Sequence, residues 1–398
     1  MRTVKLTPDD MFELTRCLVH GSAMGLRRIS DVHGEVLTLR PDSRLDAPPL
    51  SLNLQETRAA ARRTAAFFSL DPAEAASLEE LDTLGQWRDH VLAFAGLRPT
   101  HIGFATSGST GRPKTIVRDY RHLEQDAHWV AEIFAGAERL HMVAPPVHIL
   151  GFINGLMVPK VLGVPLLDRR FQSPLAIAQD LRPHDRIVTT PMFWGLLAAA
   201  VERFPPDVVG LSSGAPCSTE LFTVLAARGL TRLHDAYGSS ECGPVAERTA
   251  GDEPYRLVPM WRRGDALLLN RVEPDGTESG PYPIQDRLEW LDEHRFRVLG
   301  RLDEAVQVAG VNVFPSRAAE TLRAHEWVAD CAVRLMRPNE GDRLKAFVVL
   351  KPGISPDKET EGQLCAHLET RLSHLEMPRT LTFGPAIPRN AMGKLEDW

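Results

Sequence analysis

The densest chemistry in this chain lies in Thr106-Ser-Gly-Ser-Thr-Gly-Arg-Pro-Lys114. Thr106, Ser107, Ser109 and Thr110 supply hydroxyls, Gly108 and Gly111 open the backbone N–H groups, and Lys114 adds a positive charge. Together these are the groups that hold a polyphosphate. A Walker A loop counted from Gly108 requires glycine at 113, where this chain has Pro113 and therefore no N–H to offer. A second pattern, Gly210-Leu-Ser-Ser-Gly214, fits G-x-S-x-G and makes Ser212 a candidate hydrolase nucleophile. That chemistry needs a helix directly after the serine, and Ala215-Pro216 delays it to Ser218. The five cysteines are odd in number and scattered, without a C-x-x-C pair, so neither a disulfide framework nor a cysteine zinc site is expected.

Thr106 to Lys114 resembles, residue for residue, the phosphate-loop signature of the acyl-adenylate-forming superfamily: acyl- and aryl-CoA synthetases, adenylation domains of peptide synthetases, and luciferases. Four more segments match in the family's order, so the resemblance runs from about residue 100 to the C-terminus. Ser213-Gly-Ala-Pro216 and Asp235-Ala-Tyr-Gly-Ser-Ser-Glu241 are similar to the adenine-binding pair, with Gly214, Ala215, Pro216, Ala236 and Tyr237 around the base. The resemblance implies a flat ring at Tyr237 for adenine and an acceptor at Asp235 for its exocyclic amine. Ser240 keeps the hydroxyl the family usually supplies as threonine, and Glu241 gives a hard oxygen for Mg²⁺. Asp286, fifteen residues before Arg301, is similar to the ribose-binding pair. Pro388-Arg-Asn-Ala-Met-Gly-Lys394 resembles the segment carrying the catalytic lysine, so Lys394 would stabilise charge building between carboxylate and α-phosphate.

The resemblance implies an acid–thiol ligase with ATP and Mg²⁺ as cofactors and two half-reactions. A carboxylate first attacks the α-phosphate of ATP, giving an acyl-adenylate and pyrophosphate. A small domain then swings about Asp303, withdraws Lys394 and brings Val308-Ala-Gly-Val-Asn312 to the site, where Gly310 would line the channel for a pantetheine thiol of an acyl carrier protein or CoA. Ala144-Pro-Pro-Val-His-Ile-Leu-Gly-Phe152 resembles the substrate-side motif, which makes His148 a candidate gate of the acyl pocket. Phe152, Ser213, Gly238 and Val245 are expected as further walls. Hydroxyl and imidazole among apolar groups suit a small aromatic acid with a polar substituent. The chain is also similar to the short aryl-acid ligases of aryl-polyene pathways, such as the 4-hydroxybenzoate-activating ligase of xanthomonadin-type pigment synthesis. Alternatives are a medium-chain or other acyl-CoA synthetase, the Ser212 hydrolase, and a non-catalytic nucleotide-binding scaffold. Retention of Lys394, Glu241 and the phosphate loop argues against the last.

Those residues need a framework. From Ile102 onward short apolar runs alternate with amphipathic stretches, predicting strands at 141–144, 186–190, 208–212 and 232–235 and helices at 120–135, 192–203 and 218–228. That alternation predicts an α/β fold, a large N-terminal domain with mostly parallel sheets, followed by a small mobile α+β domain. The boundary is expected between residues 302 and 303, giving domains 1–302 and 303–398. Within the second, 306–314 reads as one strand, 316–325 and 359–375 as helices, and 328–335 and 344–350 as a hairpin. The family's N-terminal subdomain is longer ahead of the phosphate loop, so part of it is expected to be reduced here. Gln307 stands where lysine is common, and Leu395-Glu-Asp-Trp398 lacks the usual basic residue.

Composition sets the outer bounds. The 398 residues are 43% hydrophobic and 25% charged with a net charge of -6, which is ordinary for a globular protein. No basic stripe exists, so nucleic acid is not expected as a partner and anions must be held by local groups. Residues 1–10 carry polar and acidic side chains where a signal peptide needs an apolar run, and no apolar run is long enough to insert in a membrane. A cytoplasmic location follows as the expectation.

Overall fold

The computed structural model describes all residues except 1–2, 28, 30, 32, 108–112, 266, 303–304, 310, 338–339, 389–395 and 397, and only the backbone of Ser107 and Pro113. Gly108, Ser109, Thr110, Gly111, Asp303, Gly310 and Lys394 therefore lie outside the described residues. The fold is mixed α/β, with two compact units. The first takes residues 1–106, 114–284 and 289–297, the second 107–113, 285–288 and 298–398.

The first unit opens with helices Pro8–Arg27, Leu54–Phe68, Pro72–Leu78 and Leu84–Ala95. The last three start on capping boxes, in which Asn53, Asp71 and Thr83 exchange hydrogen bonds with Glu56, Glu74 and Gln86. Pro72–Leu78 and Leu84–Ala95 are separate helices because Thr83 caps a new one. Its large sheet contains Leu166–Asp168, Arg139–Met142, Asp185–Thr189, Val209–Ser213 and Arg232–Ser239, mutually parallel in that spatial order. Gly243–Arg248 and Tyr255–Leu257 extend it antiparallel, so the sheet is parallel only in part. Helices Pro191–Ala200 and Thr219–Ala227 cover it, and Trp194, Leu197 and Leu225 pack on Ile187 and Leu233. Ser218 caps the second of these, its Oγ accepting from Leu221 N at 3.1 Å. A separate three-stranded antiparallel sheet is made by Trp261–Arg263, Leu268–Val272 and Glu278–Pro283.

The second unit has its own core of Val313, Leu322, Val328, Leu344, Val348, Leu364 and Leu368. Strands Val328–Leu335 and Leu344–Leu350 form the expected hairpin, joined in parallel by Thr380–Phe383 and covered by helices Pro315–Arg323 and Lys358–Glu369. The run 306–314, expected as one strand, is instead two: Val306–Val308 pairs antiparallel with Val311–Val313, and Ala309 takes a φ of 51°.

Candidate functional site

In an open α/β sheet, ligands bind beyond the carboxyl ends of the parallel strands. Here three inferred segments leave that edge. Ala144–His148 follows strand Arg139–Met142, Ser213–Pro216 ends strand Val209–Ser213, and Tyr237–Glu241 ends strand Arg232–Ser239. The last two strands are neighbours with Ser213 opposite Ala236, and Ser213 Oγ donates to the Ala236 carbonyl at 3.1 Å. Gly214 (φ 91°) turns the chain out of the strand, leaving it and Pro216 exposed and Ala215 half-buried.

Ser240, Glu241 and Cys242 form the tight turn between antiparallel strands Arg232–Ser239 and Gly243–Arg248, with Ser239 opposite Gly243. Glycine is required on both sides of it. A Cβ on Gly238 would lie 2.1 Å from the Gly243 carbonyl oxygen, and Gly243 itself has a φ of 78°. Ser239 Oγ accepts from Cys242 N at 3.2 Å. Glu241 is half-buried at the tip and makes no hydrogen bond or ion pair with a described residue. The Tyr237 ring is half-buried, 5.4 Å from that of Phe296 and 5.7 Å from that of Tyr255.

Four inferred contact residues are closed off. Asp235 is only 1% exposed, and its Oδ2 accepts from Cys217 N (3.2 Å), Arg248 Nε (2.9 Å) and Tyr255 OH (2.7 Å). Instead of meeting an exocyclic amine, it anchors the sheet, with Oδ1 buried and unpartnered. Burial beside it raises Cys217 to about 12 and pushes Tyr255 well above the usual phenol range. Phe152 has no exposed surface and stacks edge-on against Phe67, Phe104 and Tyr120, while Val245 and Ala236 are also buried. These back a wall rather than line it. The hydrolase alternative fails on the same ground: Ser212 sits inside a strand, fully buried, its Oγ without a hydrogen-bond partner, so no imidazole activates it.

The segment inferred to hold phosphate joins two paired strands, His101–Ser107 and Pro113–Asp119. Thr106 Oγ1 donates to the Lys114 carbonyl at 3.3 Å, and Lys114 is exposed. A Walker A lysine would open a helix; this one stands in a strand. In the second unit, Leu302 N donates to the Gln285 carbonyl at 2.9 Å, which sets the half-buried Asp286 and Arg301 side by side on the two arms of a hairpin. Their fifteen-residue spacing is the path out along one strand and back along the other.

The sequence profile of the AMP-binding enzyme family matches residues 49–264, and that of the AMP-binding enzyme C-terminal domain matches residues 319–394. The chain belongs to the AMP-binding enzyme family. It is 34% identical over 394 residues to a 4-coumarate–CoA ligase of Halorhodospira halophila, covering 98% of this chain and 99% of that one. A 4-coumarate–CoA ligase of Rhodobacter capsulatus is 35% identical over 327 residues (79% and 81%), and a benzoate–CoA ligase of Thauera aromatica 26% over 348 (73% and 63%). Among solved structures, an amide bond synthetase variant of Marinactinospora thermotolerans has a TM-score of 0.59 at 17% identity (96% and 92% covered). An o-succinylbenzoate CoA synthetase of Bacillus subtilis has 0.59 at 19% (74% and 67%). At such identities these two show the fold.

This AMP-binding enzyme is thus a ligase of the acyl-adenylate-forming superfamily, and its His148 segment is built by close packing. His148 precedes a helical run, Ile149–Leu162, whose middle, Phe152–Met157, widens into a π turn, a feature frequent at functional sites. A Cβ on Gly151 would lie 2.0 Å from the Pro145 carbonyl oxygen, so only glycine lets the helix start against that loop. Solvent reaches the His148 residue, but protein surrounds it closely, and that surround together with Arg63 pushes its pKa below the ordinary imidazole value. Arg63 itself makes no hydrogen bond or ion pair with a described residue.

Sequence reasoning passed over Arg118, Asp126, Arg271, Arg248 and Tyr255. One signal existed: Asp126 falls three residues after Leu123 and four before Val130, on the buried face of helix Tyr120–Ile133. A carboxylate on such a face must have a partner.

Among the described residues no helix is long and apolar enough to cross a membrane.

Proposed function

We propose that the chain activates a small aromatic acid of the hydroxycinnamate or hydroxybenzoate class with ATP and passes the acyl group to the thiol of CoA. The observation that carries this is the pairing of the Ser213–Pro216 segment with the Tyr237–Glu241 turn at the carboxyl ends of adjacent parallel strands. Relatives named as 4-coumarate–CoA and benzoate–CoA ligases support the aromatic acid and CoA as acceptor. Tyr237, braced by Tyr255 and Phe296, offers a ring for adenine between Gly214–Pro216 and Gly238. Asp286 and Arg301, side by side on their own hairpin, would accept from and donate to the ribose hydroxyls. The hydroxyls and amides of 106–111 and Lys114 would hold the phosphates.

Glu241 fits a Mg²⁺ ligand. It is a hard oxygen donor with no competing partner among the described residues, on a turn rather than in a cage, and no group of three or more His, Cys, Asp or Glu among those residues could hold a metal without substrate. Mg²⁺ keeps several waters and takes one or two carboxylates plus phosphate oxygens, and when bound it neutralises phosphate charge. His148, neutral at pH 7, would gate the acid without repelling Arg63, whose guanidinium, unpaired among the described residues, favours an acid with a polar substituent. Lys394 would neutralise charge as the carboxylate attacks the α-phosphate. The residues from Asp303 onward, expected as the mobile C-terminal domain, would then reorient and bring Gly310 to the pantetheine channel.

ATP–pyrophosphate exchange across hydroxycinnamates, benzoates and fatty acids tests the acid, and thioester formation with CoA against an acyl carrier protein tests the acceptor. Exchange confined to fatty acids would refute the aromatic reading. Acylation of the carrier protein alone would move the chain to the carrier-loading ligases.

A further inference from the structure

Behind the Ser240–Cys242 turn lie three charged side chains that belong to no motif. Arg118 comes from strand Pro113–Asp119, Asp126 from helix Tyr120–Ile133 and Arg271 from strand Leu268–Val272, and each is at most 4% exposed. Arg118 Nη1 donates to the Ser240 carbonyl at 3.1 Å, and Arg271 Nη1 donates to the Cys242 carbonyl at 3.3 Å. The two peptide oxygens flanking Glu241 are therefore both held from beneath. Asp126 ties the arginines together, with Oδ2 accepting from Arg118 Nη2 at 3.1 Å and Oδ1 from Arg271 Nη2 at 2.6 Å. A Cβ on Gly243 would lie 2.3 Å from Asp126 Oδ2, so the hairpin rests directly on this carboxylate.

Asp126 bridges both guanidiniums in a dry place, while Arg271 is held further by Gln125 Oε1 and the His122 carbonyl and lies within electrostatic reach of Glu273. Removing a cation from water costs several kcal/mol, and one carboxylate cannot satisfy ten guanidinium protons. The Ser240 and Cys242 carbonyls are acceptors this cluster needs, so the turn cannot shift without stranding a buried donor. An apolar trio of the same volume would pack strand and helix at least as well. What the charges add is a fixed geometry for the turn.

We propose that Arg118 and Arg271, bridged by Asp126, are positioning residues that fix the Glu241 carboxylate for a divalent cation carried by ATP. The inference rests on the ligase reading above, and its test separates the two. Hydrogen–deuterium exchange and calorimetric ATP binding without acid substrate would be measured on the wild type, Arg118→Met and Arg118→Lys. Loss of a charge-assisted hydrogen bond should speed exchange of the 240–243 amides about tenfold in Arg118→Met, leaving strand 185–189 unchanged. Arg118→Lys, which keeps the charge but loses the fork, should fall between and covers the case that the methionine variant does not fold. The Mg²⁺ concentration that half-maximally strengthens ATP binding should rise about tenfold as well, while Mg²⁺-free ATP binding holds. Turn amides that exchange at the wild-type rate in either folded variant, or an unmoved Mg²⁺ midpoint, would overturn the proposal. A wild type that binds no ATP refutes the ligase reading alone, and the exchange arm then decides whether the arginines hold the turn.

Discussion

The Asp235 carboxylate accepts a 2.9 Å hydrogen bond from Nε of Arg248, the residue directly opposite it on the next strand. Burial makes this pair a structural anchor under the proposed adenine site, and Tyr255 completes it. Arg248→Met should cost about 3–5 kcal/mol, since it strands a buried carboxylate, and Tyr255→Phe about 1–2 kcal/mol. Urea unfolding reads both. Asp235→Asn should likewise act on stability with little change in the ATP KM of the folded enzyme. A large rise in KM at unchanged stability would instead put Asp235 in contact with the base.

His148 provides a pH test. Its folded pKa lies below the ordinary 6.5, so between the two values the unfolded chain binds the proton more readily. Its contribution to stability is therefore complete above about pH 6.5 and falls as the pH drops through that window, flattening below the folded pKa. His20, His122 and His325 are shifted in the same direction by burial and add to the trend. Thermal melts of the wild type from pH 7.5 to 5.5 should show a steeper decline than those of His148→Gln. Equal slopes, or an NMR titration placing His148 at or above 6.5, would contradict the closely packed surround.

The thiols should be inert in the folded protein. Cys17 and Cys217 are raised to about 12 and Cys331 to about 11 by burial, and Cys242 is raised for the same reason. Only Cys365 is part-exposed. An aromatic disulfide reagent at pH 8 should therefore titrate at most one thiol quickly in the native chain and all five in denaturant. Rapid modification of Cys217 would mean that the strand end beside Asp235 opens.

Much of this architecture is local in origin and therefore visible in the sequence. Ser218 caps its helix as its side chain dictates, and the Val328–Leu335 hairpin follows from alternating apolar residues on either side of a polar turn. The meeting of Asp286 and Arg301 was visible as a spacing, because a hairpin returns one to the other. Long-range partners were not visible. Asp235 looks like a ligand contact until Arg248 and Tyr255, remote in sequence, close over it. Phe152 looks like a pocket wall until Phe67 and Phe104 bury its ring. Arg118 and Asp126 are eight residues apart, yet the third member, Arg271, comes from another sheet, and no period in a linear sequence reports such a meeting.

Lys394 allows the two proposed half-reactions to be separated. If its ammonium stabilises charge only while the carboxylate attacks the α-phosphate, Lys394→Ala removes an interaction made in that transition state and not in the ground state. Pyrophosphate exchange with the best acid of the panel should then fall by about 10²–10³, with ATP affinity nearly unchanged. The second half-reaction does not need the lysine, because the proposed reorientation about Asp303 withdraws it. Supplied with the preformed acyl-adenylate, the variant should make the CoA thioester at close to the wild-type rate. Gly310→Leu should give the opposite pattern, with exchange intact and thioester formation lost, as a side chain obstructs the pantetheine path. Exchange at the wild-type rate in Lys394→Ala would remove the lysine from the mechanism. Equal loss of both half-reactions would leave it a structural or shared role and argue against the withdrawal.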